Sequence, residues 1–176
     1  MSKRNKSNVD LNVDLEMLRS TLDSYVSGVN IEDEEIHYTA SLFLNWLNTK
    51  TNLINNEKLF KKPDNINIRR GSVVWVDFGF NIGDEFGGKH PAIILKVSGK
   101  KAFVLPLSSK TPKNPNEPMY VKVENVKRFK NMVRWGNVLN ITGVSIQRID
   151  FSNIPGSVKG EVLDEISNSI KIAGVR

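Results

Sequence analysis

The chain has 176 residues, of which 39% are hydrophobic and 25% charged, with a net charge of +6, which is typical of a globular protein able to bury one main core. It has no cysteine and two histidines, which excludes disulfides, thiolate nucleophiles and cysteine-based zinc sites and argues against a histidine-rich metal site. No apolar run is long enough for a membrane span, and the chain starts with a polar rather than a signal-like stretch, so we expect a cytoplasmic protein.

The first third of the chain is predicted to be a helical hairpin. Apolar residues spaced by four and three predict an amphipathic helix that ends near Gly28: Leu11, Leu15, Leu18, Leu22, Val26 and Val29. Asn30 is the expected N-cap of a second helix, whose apolar face is Ile36, Ala40, Phe43 and Leu47. The segment 61–65, which contains Pro63, has the composition of a linker. We therefore expect a hairpin extension and linker at 1–65 and a second domain at 66–176.

The second domain is predicted to be mainly β. Short β-rich runs occupy 73–78, 91–97 and 101–107, and Ser98-Gly99-Lys100 is expected to form a tight turn between the last two. Further strand candidates are 119–123, 136–141 and 144–149, and five or six short strands favour a barrel. A closing helix is expected from Ser157, with Val158, Val162, Ile166 and Ile170 as its buried stripe.

The charge is divided unevenly between the two parts. Residues 1–65 hold 8 Lys/Arg against 10 Asp/Glu, a net charge of −2, whereas residues 66–176 hold 17 against 9, a net charge of +8. Lys and Arg release condensed counterions from a phosphate backbone, so the second domain is expected to bind a polyanion. A merely soluble basic surface is an equally common explanation.

The segment 81–91 is the most unusual in the chain, because a glycine-rich loop carries two acids, a lysine and a histidine between two strands. Its glycines permit positive φ and close backbone approach, and Glu85 and His90 are a candidate base and acid for proton transfer. By itself the loop favours a surface hairpin that carries solvated charges over a catalytic site.

Three linked motifs resemble one family. Arg70-Gly71-Ser72-Val73-Val74-Trp75-Val76-Asp77-Phe78, Gly83-Asp84-Glu85-Phe86-Gly87-Gly88-Lys89-His90-Pro91 and Pro106-Leu107-Ser108-Ser109 match the order and spacing of the MazF/PemK toxins. The resemblance covers about 68–173 and leaves the hairpin unexplained. It implies an α+β, mainly β fold: an SH3-like (MazF/CcdB-type) β-barrel with a C-terminal helix, here preceded by the N-terminal helical hairpin.

The resemblance implies an activity and partners. It implies a toxin of a toxin–antitoxin system that cleaves single-stranded mRNA at specific sequences, without metal or other cofactor. Attack by the 2′-OH on phosphorus gives a 2′,3′-cyclic phosphate and a 5′-OH. It also implies a homodimer and a cognate antitoxin protein that binds it, and no association with membranes.

The family places an Arg before the loop proline and a Thr or Ser after the third strand, and these positions correspond to His90 and Ser108. The expected catalytic residues are His90 as general acid or base, Ser108 as hydrogen-bond donor to the phosphate, and Glu85 as second base or as the group that orients His90. Each residue also has a purely structural interpretation: His90 as a hydrogen-bonded loop histidine, Ser108 as a turn hydroxyl, and Glu85 as a surface carboxylate. Replacing Arg by His removes a fixed positive charge, which Lys89, Lys110, Arg134 or Arg148 is expected to supply.

The segment 127–135 interleaves four cations with two aromatics, Phe129 and Trp135. Cations that follow phosphates and a ring that stacks on an unpaired base are the general features of single-strand recognition. The aromatics are equally compatible with core positions, the expectation for Trp46 and Trp75. The expected RNA-binding residues are Lys89, Ser109, Lys110, Arg128, Lys130, Arg134, Trp135 and Arg148.

Two other functions remain open from the sequence. One is a catalytically silent barrel that binds nucleic acid or antitoxin, in which the Arg-to-His difference has abolished chemistry. The other is a CcdB-like gyrase inhibitor, against which the Gly-Asp-Glu-Phe-Gly-Gly loop speaks. The hairpin is acidic where the barrel is basic, and a hypothesis is that it tunes activity by covering part of the dimer surface or RNA groove.

Overall fold

A computed structural model describes residues 9–174 of the chain. Within this range there are three α-helices and eight β-strands. The helices are α1 (Leu11–Ser27), α2 (Glu34–Asn55) and α3 (Gly160–Ile172). The strands are β1 (Ser72–Asp77), β2 (Lys89–Ser98), β3 (Lys101–Pro106), β4 (Tyr120–Val123), β5 (Arg134–Asn137), β6 (Thr142–Ser145), β7 (Ile149–Asp150) and β8 (Gly156–Ser157). None of the helices in the described range is long and apolar enough to cross a membrane.

The chain divides into two compact units, of which the first ends at Asn48 and contains α1 and most of α2. The predicted helical hairpin is confirmed, and α1 ends at Ser27, next to Gly28 as expected. The predicted N-cap of α2 is wrong. Asn30 accepts a hydrogen bond from the Glu32 amide in the preceding turn, whereas the Asp33 carboxylate accepts from the first amides of the helix, at 3.1 Å each. The helix therefore begins four residues after Asn30.

The second unit begins at Thr49 and contains a curled antiparallel sheet. The strand order is β6-β3-β2-β1-β7, and β8 also pairs with β1. The β4–β5 ribbon joins the end of β3 through a bridge between Ser108 and Trp135, and Lys127 bridges to Ser157 in β8. These pairings curl the sheet into an SH3-like half-barrel, as the sequence predicted.

Alternating side chains of the curled sheet form two apolar clusters. Val74 and Val76 of β1 belong to one cluster, while Val73 of the same strand belongs to the other. Ile166 of α3 is almost fully buried against the Val73 cluster. The C-terminal helix therefore covers one face of the sheet, as the four-residue spacing predicted.

Two of the predicted strands are partly wrong, because each is interrupted by a short 3-10 turn that a side chain caps. The run 136–141 was predicted to be a strand, but β5 ends at Asn137, whose side chain accepts from the Leu139 amide at 2.9 Å. The run 144–149 is likewise interrupted, because the Ser145 hydroxyl accepts from the Gln147 amide at 3.3 Å and opens a second 3-10 turn. These turns redirect the chain between β5, β6 and β7.

The predicted start of the closing helix is also wrong. Ser157 does not cap it but belongs to β8, where it faces Ser72 of β1. The helix begins at Gly160, and Lys159 at its N-cap position makes no side-chain capping bond. A short strand that the sequence did not indicate therefore precedes α3.

Candidate active site

The glycine-rich loop between β1 and β2 is closed by its own backbone. The Gly88 amide donates to the Gly79 carbonyl at 2.7 Å, and the Phe78 amide donates to the Gly88 carbonyl at 2.8 Å. Gly88 has a φ of 77°, and a Cβ at Gly87 would lie 2.9 Å from the Gly79 oxygen. The loop thus requires small residues here, and it returns the chain into β2 immediately before His90.

His90 lies near the start of β2, and Ser108 follows the end of the neighbouring strand β3 by two residues. In the β2–β3 ladder Ala92 faces Pro106, and the Leu107 amide donates to the Pro91 carbonyl at 2.8 Å. Continuing this antiparallel register by two residues sets His90 opposite Ser108 as a pair without mutual backbone bonds, the arrangement that brings side chains closest. His90 and Ser108, at the positions that correspond to the family's Arg and Thr/Ser, are thus the chain neighbours of a hydrogen-bonded pair, Pro91 and Leu107.

The imidazole of His90 is half-buried against an aromatic ring. Its ring centroid lies 4.8 Å from that of Phe86, in an edge-on arrangement. Burial lowers the pKa of His90 below 6.5, while a hydrogen bond to the backbone of Leu107 acts in the opposite direction. His90 is therefore neutral at pH 7 and able to accept a proton.

The Ser108 hydroxyl is fixed at the end of β3. Its oxygen accepts from the Lys110 amide at 3.0 Å. The Ser108 backbone exchanges two hydrogen bonds with Trp135, of 2.9 and 2.8 Å. Because the hydroxyl oxygen accepts from a backbone amide, its proton can be donated to a ligand.

A cavity of about 360 Å³ on the Val76 side of the sheet contains Glu85 and Arg148. Phe86 lines this cavity and also contacts His90, so the histidine lies next to it. Arg148 donates from Nε to the Asp77 carbonyl at 2.7 Å. Burial lowers the pKa of Arg148 and the Asp77 charge raises it, but a guanidinium remains protonated at neutral pH. Arg148 is thus a fixed positive charge in the wall of this cavity.

Other residues that line this cavity were not predicted as site residues. Asn140 and Ile141 lie on the connection between β5 and β6, which the sequence indicated as a strand, and Thr142 is the first residue of β6. Phe86 belongs to the recognised glycine-rich motif, so its position was available from the sequence although its contact with His90 was not.

Three further predicted residues lie close to this site with different environments. Lys89, the residue before His90, pairs with Asp150 at 2.7 Å. This pair and the hydrogen bonds from Ser152 hold the pKa of Asp150 well below its usual range. Ser109 and Lys110 follow Ser108 and are exposed. Lys89 therefore forms an ion pair, whereas Lys110 is exposed to solvent.

The basic segment 127–135 is divided between surface and interior. Arg128 and Lys130 are exposed. Arg134 is only 5% exposed, and it donates to the carbonyls of Met132 at 3.2 Å and Lys130 at 3.1 Å. Phe129 is partly buried, and its ring lies 5.6 Å from the Arg134 guanidinium. The environment of Arg134 is that of a structural residue.

Aromatic residues of the predicted interface lie partly in the interior. The Phe129 ring stacks on Trp75 with a centroid distance of 5.9 Å. Trp135 is half-buried on β5, between Arg134 and Gly136, which are both buried. Of these rings, Trp135 is the one next to Ser108.

The residues described, 9–174, contain no group of three or more His, Asp or Glu side chains arranged to hold a metal ion. The cavity is lined by the Glu85 carboxylate and the Arg148 guanidinium, and the His90 imidazole contacts Phe86 in its wall. This set is suited to binding a phosphate and moving a proton beside it.

A small curled β-sheet with a closing helix, and with a polar cavity beside the loop between β1 and β2, defines a compact basic domain. A family model described as "PemK-like, MazF-like toxin of type II toxin-antitoxin system" matches residues 69–173. The chain therefore belongs to the PemK-like, MazF-like family of type II toxins, as the motifs predicted.

Solved structures and curated proteins give two further comparisons. MazF (Form-I) from Deinococcus radiodurans is 20% identical over 61% of this chain and 96% of its own, with a TM-score of 0.47. A MazE-MazF structure (Form-II) from the same organism is 19% identical over 62% and 97%, with a TM-score of 0.45. No curated protein matches the chain significantly.

Proposed function

We propose that this toxin is a metal-independent endoribonuclease that cleaves single-stranded mRNA at specific sequences. Two observations carry the proposal. The Leu107 amide donates to the Pro91 carbonyl, which joins the chain neighbours of Ser108 and His90, and the His90 ring contacts Phe86 in the wall of the cavity that Glu85 and Arg148 also line. Together these residues offer a proton acceptor, a hydroxyl donor and a positive charge around one position for a phosphodiester.

In the proposed reaction His90 removes the proton of the 2′-OH next to the scissile phosphate. The 2′ oxygen forms a bond to phosphorus as the bond from phosphorus to the 5′ oxygen breaks. The products are a 2′,3′-cyclic phosphate and a 5′-OH, and the leaving oxygen takes its proton from solvent. A neutral imidazole is needed at the start, and the lowered pKa of His90 supplies it at pH 7.

Charge develops on the phosphate oxygens in this reaction. The Ser108 hydroxyl donates to one of them, and Arg148 supplies positive charge from the neighbouring cavity. Arg148 thus replaces the guanidinium that the family carries at the position of His90. Glu85, which is exposed at the same cavity, is proposed to orient the 2′-OH or to act as a second base.

The RNA strand is proposed to leave this site over the exposed cations Lys110, Arg128 and Lys130, with Trp135 near the cut. Arg134 is left out of this surface because its guanidinium is buried. Two of the similar structures carry the description MazE-MazF. By analogy we propose a cognate antitoxin as partner, together with a homodimeric state and a cytoplasmic location.

The test is digestion of a long unstructured RNA by the purified protein in EDTA, with the cleavage ends mapped. Wild-type protein should give site-specific cuts with 5′-OH ends, and His90→Ala and Ser108→Ala should lose them. His37→Ala is the matched control, since His37 is the other histidine and is exposed on α2. RNA binding without cutting by wild type would replace the proposal with a silent binding barrel.

A further inference from the structure

A second and larger cavity, of about 560 Å³, lies in the barrel unit and is separate from the proposed active site. Its walls come from three parts of the chain: the approach to β1, the start of the basic segment, and the β7–β8 connection. The lining residues are Asn65, Ile66, Asn67, Arg69, Ser72, Lys127, Arg128, Phe151, Ser152, Ile154, Pro155, Gly156 and Ser157. Its volume is within the usual range of small-ligand sites.

The charge of this cavity is one-sided. Arg69, Lys127 and Arg128 line it, and none of its lining residues is acidic. The nearby acid Asp150 accepts a hydrogen bond from the amide of the rim residue Ser152. Asp150 is itself paired with Lys89 at 2.7 Å. The cavity therefore presents uncompensated positive charge together with hydroxyl groups, which is suited to a phosphate group.

The remaining lining residues are suited to a nucleobase. Ile66, Phe151 and Ile154 provide apolar surface, and Asn65 and Asn67 provide amides that can both donate and accept hydrogen bonds. A phosphate next to a flat ring with polar edges is the chemistry of one nucleotide. Inorganic phosphate alone would leave the apolar part of the cavity unused.

The backbone at the cavity is held in an unusual conformation. Arg128 has a φ of 69°, the sole positive value for a non-glycine residue within 9–174. Its guanidinium lies 3.4 Å from the Pro155 carbonyl, on the opposite wall. Gly156 on that wall is packed so closely on Lys127 and Phe129 that a Cβ would collide with both. The two walls are thus in contact, and Arg128 is placed at the rim between them.

The cavity lies within reach of an RNA strand held at the active site. Ser72, in its wall, and Val76, which faces His90, are both on β1 and four residues apart. At the rise of a β-strand this is about 13 Å. A short stretch of extended single-stranded RNA spans such a distance.

We propose that this cavity binds one nucleotide of the RNA substrate outside the bond that is cut, with its phosphate on Arg69, Lys127 and Arg128. The inference rests on the proposed function, because it takes the bound polyanion to be RNA. The cavity then contributes to both affinity and sequence preference. It also assigns a role to Arg69, which sequence reasoning left without one.

The experiment measures RNA affinity at several salt concentrations in the His90→Ala background, where no cutting occurs. The probe is a labelled single-stranded RNA, used in a long form and in a short form that covers only the scissile bond. Arg69→Ala and Arg128→Gly should each weaken binding of the long form about tenfold and reduce the slope of log affinity against log salt by about 0.7. Binding of the short form should be unchanged.

Arg70→Ala is the matched control. Arg70 is adjacent to Arg69 and also exposed, and it donates a hydrogen bond to Ser167 of α3 at 3.3 Å instead of lining the cavity. If the Arg69 and Arg128 variants lose no more RNA affinity than Arg70→Ala does, the proposal is overturned, because such losses reflect only the change in net charge. Competition by a nucleoside 5′-monophosphate, but not by inorganic phosphate, would support a nucleotide site over a bare anion site.

The two proposals fail in different ways. If wild-type protein cuts RNA but the cavity variants bind it as the Arg70 control does, the cavity proposal is overturned and the active-site proposal stands. If wild-type protein does not cut RNA but the cavity variants lose affinity selectively, the cavity proposal is supported and the ribonuclease proposal is overturned.

Discussion

Replacing Arg134 by methionine should destabilise the barrel unit without removing a direct contact to RNA. The guanidinium donates two hydrogen bonds to carbonyls of its own loop and lies 5.6 Å from the Phe129 ring. Hydrogen bonds from a charged group contribute about 1.5–3 kcal/mol each, and the ring about 0.5–1 kcal/mol. Relief of the desolvation of a buried charge offsets part of this sum, and methionine retains the apolar contacts of the stem.

The net expectation is a loss of about 2 kcal/mol in the free energy of unfolding. Urea denaturation should show it as a lower midpoint with an unchanged slope. Lys130→Met, at an exposed position of the same loop, is the control and should change stability by less than about 0.5 kcal/mol. If the Arg134 variant keeps wild-type stability but loses RNA affinity, the structural role given to Arg134 is wrong.

Three further predictions concern the site, an ion pair and the core. The cleavage rate should rise with pH through an apparent pKa below 6.5, because burial lowers the pKa of His90; an apparent pKa above 7 would contradict His90 as the base. Asp150→Asn should lower the free energy of unfolding by about 1 kcal/mol at pH 7, as measured by urea denaturation. This loss should vanish in strong acid, because the lowered pKa of Asp150 means that its contribution disappears as pH falls through that pKa. Gly136→Ala should cost about 1–3 kcal/mol by thermal or urea unfolding, since its Cβ would lie 2.8 Å from the fully buried Leu105, and wild-type stability would contradict this packing.

The regular parts of the fold followed from periodicity. The β2–β3 hairpin was predictable because apolar runs flank Ser98-Gly99-Lys100, and Gly99 does adopt a φ of 56°. The closing helix followed from a four-residue apolar spacing, and Ile166 is buried as that spacing requires.

The errors arose where side chains compete with regular backbone bonding. Asn137 and Ser145 each bond to an amide two residues later, and both end a strand that apolar residues alone would extend. The sequence around Ser157 predicts a helix cap, yet Ser157 pairs with Ser72 of β1 as a strand residue. That pairing depends on residues 85 positions apart, and local propensity does not include it.

The candidate site was predictable only as far as the family motif reached. The motif singled out His90 and Ser108, and a hydrogen bond between their chain neighbours Pro91 and Leu107 joins the two segments. The burial of Arg134 was not foreseen, because a run of cations suggests a solvated surface, whereas the alternation of β5 turns Arg134 inward. The second cavity combines three distant segments, and no local pattern indicates such a site.

The most direct test of the central claim is removal of the nucleophile that the proposed chemistry requires. An RNA with a mapped cleavage site is synthesised with a single 2′-deoxy residue on the 5′ side of the scissile bond, and its digestion is compared with that of the unmodified RNA. The account predicts that this one bond resists cleavage while other mapped sites in the same molecule are cut at the normal rate. Cutting of the modified bond at an undiminished rate would show that the 2′-OH is not the nucleophile and would contradict the mechanism assigned to His90.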